Sequence, residues 1–253
     1  MIRLKTESDI EQLKISGKIL VAVIGELQRS AVEGVSLLEI DQKARKSLKE
    51  FKAKPSFLDY HSSKKSAPFP AAICASVNDG LVHGIPDDYR IKSGDVLKID
   101  LGVDYNGFIT DGAVTVGIGK ISSVAEKLLK ATKAALEEAI KICKAGNYTG
   151  DIGWIIENVA KNYEFSIAEK LTGHGVGFEV HEDPSVYNFG ERGSGILMEN
   201  GLVIAIEPMI IAGSGEVIEK EDGSFFTKDG SLSAHFEKTI AVTENGCIDL
   251  TPW

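Results

Sequence analysis

Four carboxylates and one imidazole stand within or beside apolar runs and glycine-flanked stretches of the sequence. They are Asp100, Asp111, His174, Glu207 and Glu237. Four carboxylates that share one pocket would repel each other strongly, and two divalent cations would offset that charge. Oxygen ligands with a single imidazole suit Mn, Fe(II), Co or Zn in a dinuclear site. Two such ions about 3.5–4 Å apart can bind a bridging hydroxide and polarise a carbonyl group, so the residue set points to metal-assisted hydrolysis.

A predicted hairpin places the two aspartates. Asn106-Gly107 is a strong two-residue turn signal, because both residues tolerate positive φ and β-rich runs flank them on either side. With this turn, Gly102 faces Asp111, and Asp100 lies on the same face of the hairpin as Asp111. The stretch alone leaves two interpretations with equal weight: a solvated face with two ordinary aspartates, or a buried pair that chelates a cation.

The other three residues lie in the second half of the chain. His174 stands between two glycines, which clear space at the backbone, although a lone histidine is more often structural than a ligand. Glu207 ends an apolar run that Pro208 stops, and we favour a partnered, buried carboxylate over an edge glutamate that faces water. Glu237 precedes another apolar run, and taken alone it favours a surface ion pair with Lys238.

Three further polar residues have weaker cases for a role in chemistry. His61 lies in a polar loop, where we expect it to be solvated. His235 shares a strand face with Glu237, and it either supports the metal ligands or is an ordinary polar strand residue; the second interpretation is favoured. Asp104 precedes the predicted turn and is expected to be a turn residue.

The hydrophobic periodicity predicts two helices followed by strands, and then the same order again. The expected helix starts are Ser8 or Asp9, Ser36 with Glu39 as a capping box, Ser122 or Ser123 with an end at Lys144, and Thr149 as the cap of a helix over 151–162. The expected strands include 73–77, 178–180, 202–206, 216–219, 225–228 and 239–242, and residues 52–70 are expected to form a loop. This pseudo-repeat predicts one α+β domain over residues 1–253, with helices backing a curved, mainly antiparallel sheet.

The composition bounds the class of protein. The chain has 253 residues, 43% of them hydrophobic, and a net charge of −9, so it is a poor general binder of DNA or of anionic membranes. Its three cysteines, Cys74, Cys143 and Cys247, are widely spaced and odd in number, which favours a reducing compartment. The N-terminus has no signal-like apolar core, and we expect a cytoplasmic protein.

Seven short motifs, in their order and spacing, resemble the type I methionine aminopeptidases, the short pita-bread members of a metallopeptidase family. Each motif is weak alone, but together they cover nearly the whole chain. They are Cys74-Ala-Ser-Val-Asn78, His83-Gly-Ile-Pro86, Asp100-Leu-Gly-Val with Asp111, Gly173-His174-Gly-Val-Gly177, His181-Glu-Asp-Pro184, Ile206-Glu207-Pro-Met209 and Ser231-Leu-Ser-Ala-His-Phe-Glu237. The resemblance implies a pita-bread fold with pseudo-twofold halves, and it implies removal of the initiator methionine from nascent polypeptides.

The resemblance also implies a role for each metal ligand. Asp100 would chelate one ion, and Asp111 and Glu237 would bridge both. His174 and Glu207 would complete the ligands of the other ion. A metal-bound water would attack the first peptide carbonyl, with Glu207 as the acceptor of its proton.

Four further residues match the substrate site of that family. His181 would hydrogen-bond the carbonyl oxygen or the developing oxyanion, and His83 would contact the substrate near the scissile nitrogen. Cys74 and Phe69 match the edge of the pocket for the methionine side chain, where a soft, apolar slot suits a thioether. The implied partner is the N-terminal methionine of a nascent chain; we expect a monomer, and contact with the ribosome is left open.

The chain departs from the family pattern in a few places. The loop at residues 62–68 is longer than usual, which bears on the assignment of Phe69, and Val180 stands where an aromatic residue is common. Two alternatives to the implied function remain. An X-Pro-type aminopeptidase is disfavoured because such members usually carry an additional N-terminal domain. A non-catalytic pita-bread binding module is disfavoured because all five presumed metal ligands are kept.

Overall fold

Two pairs of helices, each followed by strands, organise the chain in the order that the sequence predicts. The computed structural model describes residues 1–61 and 67–253, so most of the loop 62–68 lies outside the described residues. The helices are α1 (Glu7–Ser30), α2 (Leu37–Glu50), α3 (Ser123–Lys141) and α4 (Thr149–Asn162). The strands are β1 (Lys54–Pro55), β2 (Cys74–Val77), β3 (Gly80–Val82), β4 (Val96–Tyr105), β5 (Phe108–Gly117), β6 (Ser166–Ile167), β7 (Thr172–Gly175), β8 (Glu182–Tyr187), β9 (Val203–Ile206), β10 (Met209–Ile211), β11 (Val217–Glu219), β12 (Phe225–Thr227), β13 (Ser233–His235), β14 (Lys238–Thr243) and β15 (Gly246–Asp249).

The first two helices begin at reciprocal capping boxes. Thr6 caps α1, so the prediction of Ser8 or Asp9 is wrong. The Thr6 hydroxyl accepts a hydrogen bond from the N–H of Asp9, and the Asp9 carboxylate accepts one from the N–H of Thr6. Two N–H groups at the start of the helix therefore have acceptors. The predicted capping box of Ser36 and Glu39 at α2 is confirmed.

The second helical pair agrees with the sequence in position and differs at its ends. Ser122 caps α3 as predicted, but the helix ends at Lys141 rather than at Lys144. Thr149 is the first residue of α4 and not its cap. Its hydroxyl instead accepts the N–H of Ile196 and so joins the helix to a neighbouring loop.

The predicted hairpin is confirmed in its register. β4 and β5 pair so that Gly102 faces Asp111, and Asn106 and Gly107 both have positive φ, as the two-residue turn requires. The Asp104 carboxylate accepts the N–H of Gly107 at 2.8 Å, which confirms its expected role in the turn.

Two expected elements are wrong in detail. The stretch 52–70 is not all loop, because β1 within it pairs with β4. The stretch 178–180 forms no strand; β7 and β8 lie on either side of it. The N–H groups of Phe178 and Glu179 both donate to the carboxylate of Glu182, so they are not available to a neighbouring strand.

The strands of the described residues form four sheets in which every pairing is antiparallel. The first sheet contains β1, β4, β2 and β5, and the largest has the order β15-β14-β9-β7-β8. The two are joined by a seam, which we define as the contact of β5 with residues 235–239. Along the seam, Glu237 N–H donates to the Ala113 carbonyl at 2.9 Å, and Thr239 Oγ1 donates to the Asp111 carbonyl at 2.7 Å. The seam fixes the two halves of the chain against each other.

Helix α1 packs on the hairpin and supports it from behind. Its Leu13, Leu20 and Leu27 side chains are fully buried, and burial of each contributes roughly 1.5–3 kcal/mol to folding. A Cβ atom at Gly112 would lie 3.0 Å from Leu20 Cδ2, so glycine allows this close approach of helix to strand. None of the helices in the described residues is long and apolar enough to cross a membrane.

Candidate metal and catalytic site

The hairpin carries both aspartates into the interior. Asp100 faces Ala113 in the register of β4 and β5, two strand positions from the pair of Gly102 and Asp111, so the two aspartates share one face of the hairpin. The two aspartates are 8% and 2% exposed, so the interpretation of a solvated face is wrong. The N–H of Asp111 donates to Thr239 Oγ1 at 2.9 Å, which ties its backbone to the seam.

The second half of the chain supplies the other three residues. His174 lies on β7 and pairs with β9, and Glu207 directly follows β9. Glu237 lies between β13 and β14 and is 2% exposed. The predicted surface ion pair of Glu237 with Lys238 is wrong, because Lys238 Nζ lies 2.6 Å from Asp249 Oδ2. The backbone at Glu237 pairs with Ala113 of β5, and the Glu237 side chain lies in the interior.

These side chains converge on one place between the two sheets. His174 Nε2 lies 3.5 Å from Glu207 Oε1 and 3.9 Å from Asp111 Oδ2. Ligand atoms of Asp111, His174 and Glu237 all lie within 4.8 Å of one another. Asp100 is buried on the same face of the hairpin as Asp111, and burial first and the Asp111 carboxylate second raise its pKa, so Asp100 belongs beside the same cluster.

For His235 the sequence left two interpretations, support of the metal ligands and an ordinary polar strand residue, and favoured the second. It is 1% exposed, and its Nε2 lies 3.2 Å from Glu207 Oε2 and 3.8 Å from Glu237 Oε2. The favoured interpretation as an ordinary polar strand residue is therefore wrong. In the sequence, the spacing of two residues between His235 and Glu237 could have indicated a site residue. In the structure, His235 pairs with Met209, which places it near Glu207. Glu207, His235 and Glu237 form a second group with ligand atoms within 4.8 Å.

Burial and mutual repulsion shift the pKa values of the whole cluster. Burial first, and the neighbouring carboxylates second, raise the pKa values of Asp100, Glu207 and Glu237 well above their usual range. Burial also raises the pKa of Asp111, to about 7. Burial lowers the pKa of His174 to about 4 and that of His235 to about 3, so both imidazoles are neutral at pH 7 and can offer a lone pair.

The cluster fits divalent cations by the chemistry of its unpaired atoms. Asp100 Oδ1, Glu237 Oε1 and both ring nitrogens of His235 are buried and have no hydrogen-bond partner among the residues that the structure describes. Buried polar atoms without partners are costly, and cations would satisfy these oxygen and nitrogen atoms at once. Carboxylate oxygens with neutral imidazoles are also the donors that Mn, Fe, Co and Zn accept.

A cleft of about 740 Å³ leads from the surface to this cluster, and His83, His174, His181 and Glu207 line it. The His174 and His181 rings lie 4.4 Å apart between centroids. His181 Nδ1 lies 2.7 Å from the Tyr60 hydroxyl, a partner that the sequence did not reveal. The two histidines expected to contact substrate therefore stand at the mouth of the carboxylate cluster.

Cys74 and Phe69 lie in one apolar cluster beside the aspartates. Cys74 faces Asp100 in the register of β2 and β4 and is buried. Phe69 packs in the same cluster with Tyr60 and Ile109, and its N–H donates to the Tyr60 carbonyl at 2.8 Å. Cys74 thus lies beside a proposed metal ligand, and both residues expected at the methionine pocket belong to one apolar cluster.

Comparison with known proteins identifies the family. Residues 11–244 match the sequence profile described as metallopeptidase family M24. A methionine aminopeptidase from Aquifex aeolicus is 41% identical over 256 residues, which cover 99% of this chain and 98% of that protein.

Solved structures agree with this assignment. The crystal structure of a methionine aminopeptidase from Thermotoga maritima matches with a TM-score of 0.95 and 37% identity over 100% of both chains. A prolidase from Pyrococcus furiosus, at 24% identity and a TM-score of 0.80 over 65% of its length, shares the fold alone. The chain therefore has the pita-bread fold, with helices backing antiparallel sheets in two halves, and belongs to metallopeptidase family M24.

Proposed function

We propose that this chain is a methionine aminopeptidase that hydrolyses the first peptide bond of new polypeptides and so removes their N-terminal methionine. The observation that carries the proposal is the convergence of acidic and imidazole groups at the end of a cleft that His83 and His181 border. The full-length similarity to proteins named methionine aminopeptidase supports the choice of substrate within family M24.

Two divalent ions are the cofactors in this proposal, and Co, Mn, Fe(II) and Zn are the candidates. Their ligands would be Asp100, Asp111, His174, Glu207 and Glu237. When bound, the ions supply the Lewis acidity and the activation of water that hydrolysis of a peptide bond requires. The raised pKa values of the carboxyl groups support this assignment, because a cation would offset both the cost of burying these charges and the repulsion between them.

The protein groups would move and hold the protons of the reaction. Glu207 lies at the inner end of the cleft, where it can accept the proton of the attacking water. The Tyr60 hydroxyl can donate to Nδ1 of His181, which leaves Nε2–H of His181 free to donate to the substrate carbonyl oxygen. His83 would contact the scissile nitrogen and assist proton transfer to it.

The side chain of the substrate methionine would lie against Cys74 and Phe69. Both belong to the apolar cluster that contains Ile109 and Tyr60. An unbranched thioether fits such a slot, because it is flexible and polarisable. The slot ends beside Asp100, so a bound methionine would place its peptide bond close to the metal ligands.

The proposal extends to the setting of the protein. The three cysteines are free thiols, which supports a reducing compartment, and we propose the cytoplasm. The substrate partner would be the N-terminal methionine of a nascent chain. The enzyme would act as a monomer, and residues 1–253 would form one catalytic domain. Contact with the ribosome would need its own test.

One assay series tests the proposal. Protein purified without oxygen and loaded with Mn, Fe(II), Co or Zn should release methionine from Met-Ala-Ser, and the Glu207→Gln variant should lose this activity. Absence of release with every metal, or full activity in Glu207→Gln, would contradict the proposal. Faster cleavage of an Xaa-Pro peptide would favour the X-Pro alternative, and failure to retain metal would favour a binding module.

A further inference from the structure

The first five residues of the chain lie against the loop that carries His181. Lys5 Nζ donates to Glu182 Oε2 at 2.6 Å, and the two side chains are 2% and 3% exposed. Glu182 directly follows His181 in the sequence, and 177 residues separate it from Lys5. A buried ion pair therefore joins the N-terminal segment to the residue beside a proposed substrate contact.

The Glu182 carboxylate also accepts hydrogen bonds from the backbone of the loop that carries His181. Its Oε1 accepts the N–H groups of Phe178 at 2.7 Å and of Glu179 at 3.0 Å, and Arg3 Nη2 lies 3.2 Å from the same oxygen. Within the described residues, each short contact of this carboxylate is with a donor. The path of the backbone over residues 178–182 thus depends on one buried anion.

The N-terminal segment is itself held in place, so it can act as a fixed support. Lys5 N–H donates to the Gly201 carbonyl at 2.7 Å, and Lys5 Nζ lies 5.1 Å from the centre of the Phe178 ring. Gly177 has φ of 141°, and a Cβ atom there would lie 2.5 Å from Lys5 Cε. The Met1 ammonium lies 2.6 Å from Oδ2 of Asp183, the residue that follows Glu182.

The burial of the pair decides what it can do. Exposed ion pairs are worth little, about 0–1 kcal/mol. A buried pair also gives little net stability, but removal of one partner leaves an uncompensated charge that forces the local structure to move. The Lys5–Glu182 pair thus fixes the geometry of the loop more than it stabilises the protein.

We propose that Lys5 and Glu182 are positioning residues that hold His181 in its place over the cleft, so that its Nε2–H meets the substrate carbonyl oxygen. This inference rests on the proposed function of His181. Among the described residues, neither side chain forms a hydrogen bond or ion pair with a proposed metal ligand, so we assign the effect of the pair to His181.

A double-mutant cycle tests the proposal. The variants are Lys5→Met, His181→Ala and their combination, and the control is Lys14→Met, which removes the exposed pair of Lys14 with Glu11. A displacement of about 1 Å can cost up to 10²-fold in rate, so we expect Lys5→Met to lower kcat about tenfold with KM and metal affinity nearly unchanged. His181→Ala should cost about 10²–10³-fold.

The combination decides the outcome. If Lys5 acts through His181, the double variant should be as active as His181→Ala within about twofold. If the two losses multiply, or if Lys5→Met is as active as Lys14→Met, the proposal is overturned. If Lys5→Met does not fold, Glu182→Gln replaces it in the same double-mutant cycle.

Hydrogen exchange separates this proposal from the proposed function. Amides over residues 177–183 should exchange faster in Lys5→Met than in wild type, and Lys14→Met should match wild type. Unchanged exchange in Lys5→Met would overturn the positioning role whether or not the wild-type protein releases methionine. An inactive wild-type enzyme with accelerated exchange in Lys5→Met would contradict only the proposed function.

Discussion

The Nε2 atom of His235 lies 3.2 Å from Oε2 of Glu207, whose other oxygen faces His174. A buried imidazole packed against a metal-binding carboxylate restricts the orientation of that carboxylate, and loss of such a neighbour commonly weakens metal binding about 10–100-fold. We expect His235→Leu to lower metal affinity within this range, and His235→Gln, which keeps a polar side chain, to lower it less. Calorimetric titration with Mn or Co measures both. Equal affinities in wild type and His235→Leu would contradict the expected role.

The two aspartates of the hairpin should differ in what their loss does. Asp111 lies between the two halves and would bridge both ions, whereas Asp100 would serve one. We expect Asp111→Ala to empty the site more completely than Asp100→Ala. Metal stoichiometry by elemental analysis checks this, and the matched positions of the two residues on one hairpin make each the control for the other. Equal occupancy would count against the assigned roles.

The raised pKa values predict how the metal-free protein responds to pH. The folded pKa of Asp111 is about 7, above its ordinary value of 3.8, because burial disfavours the charged form. A carboxyl group of this kind stabilises the fold below its ordinary pKa, and this contribution is lost as the pH rises from about 4 through 7. We therefore expect the metal-free protein to lose stability over that window.

Glu237→Gln is the matched variant for this pH dependence, because it removes one buried charge and keeps the shape of the side chain. In the presence of a chelator its Tm should fall less than that of the wild type between pH 4 and pH 8. Added metal should raise the Tm of the wild type at pH 8 and that of Glu237→Gln much less, since a ligand that binds the folded state more tightly stabilises it more, with the logarithm of its concentration over Kd. Parallel curves for the two proteins would contradict the prediction.

Tyr60 is expected to fix the tautomer of His181. Its hydroxyl lies 2.7 Å from Nδ1 of His181 and would hold the proton of the imidazole on Nε2. A hydrogen bond of this kind contributes about 0.5–1.5 kcal/mol, so Tyr60→Phe should lower kcat about 2–10-fold and leave metal affinity unchanged. A change in KM alone would show that Tyr60 contacts substrate rather than His181.

Local signals in the sequence predicted the hairpin and its register well. Asn106-Gly107 fixes the turn, and the turn fixes which residues face each other, so Gly102 and Asp111 could be paired without a structure. The capping box at Ser36 and Glu39 is equally local. Such features need only short-range geometry, which explains why they could be predicted.

Features that depend on which strand face is buried could not be predicted in this way. Glu237 and Lys238 are adjacent and point to opposite faces, and only the packing of the second half shows that Glu237 faces inward. His235 shares that inner face, so both errors have one cause. The strand expected at 178–180 failed for another reason: its N–H groups bond to the side chain of Glu182, which strand propensity does not describe.

The seam between the halves has a consequence for the lifetime of bound ions. Because β5 is hydrogen-bonded to residues 235–239, the halves cannot hinge apart beside the cluster without breaking those bonds. Ions must then exchange with solvent through the cleft that the substrate also uses. A peptide analogue bound there should block this route and slow metal dissociation. The rate at which a chelator removes the metal, with and without the analogue, would measure the effect.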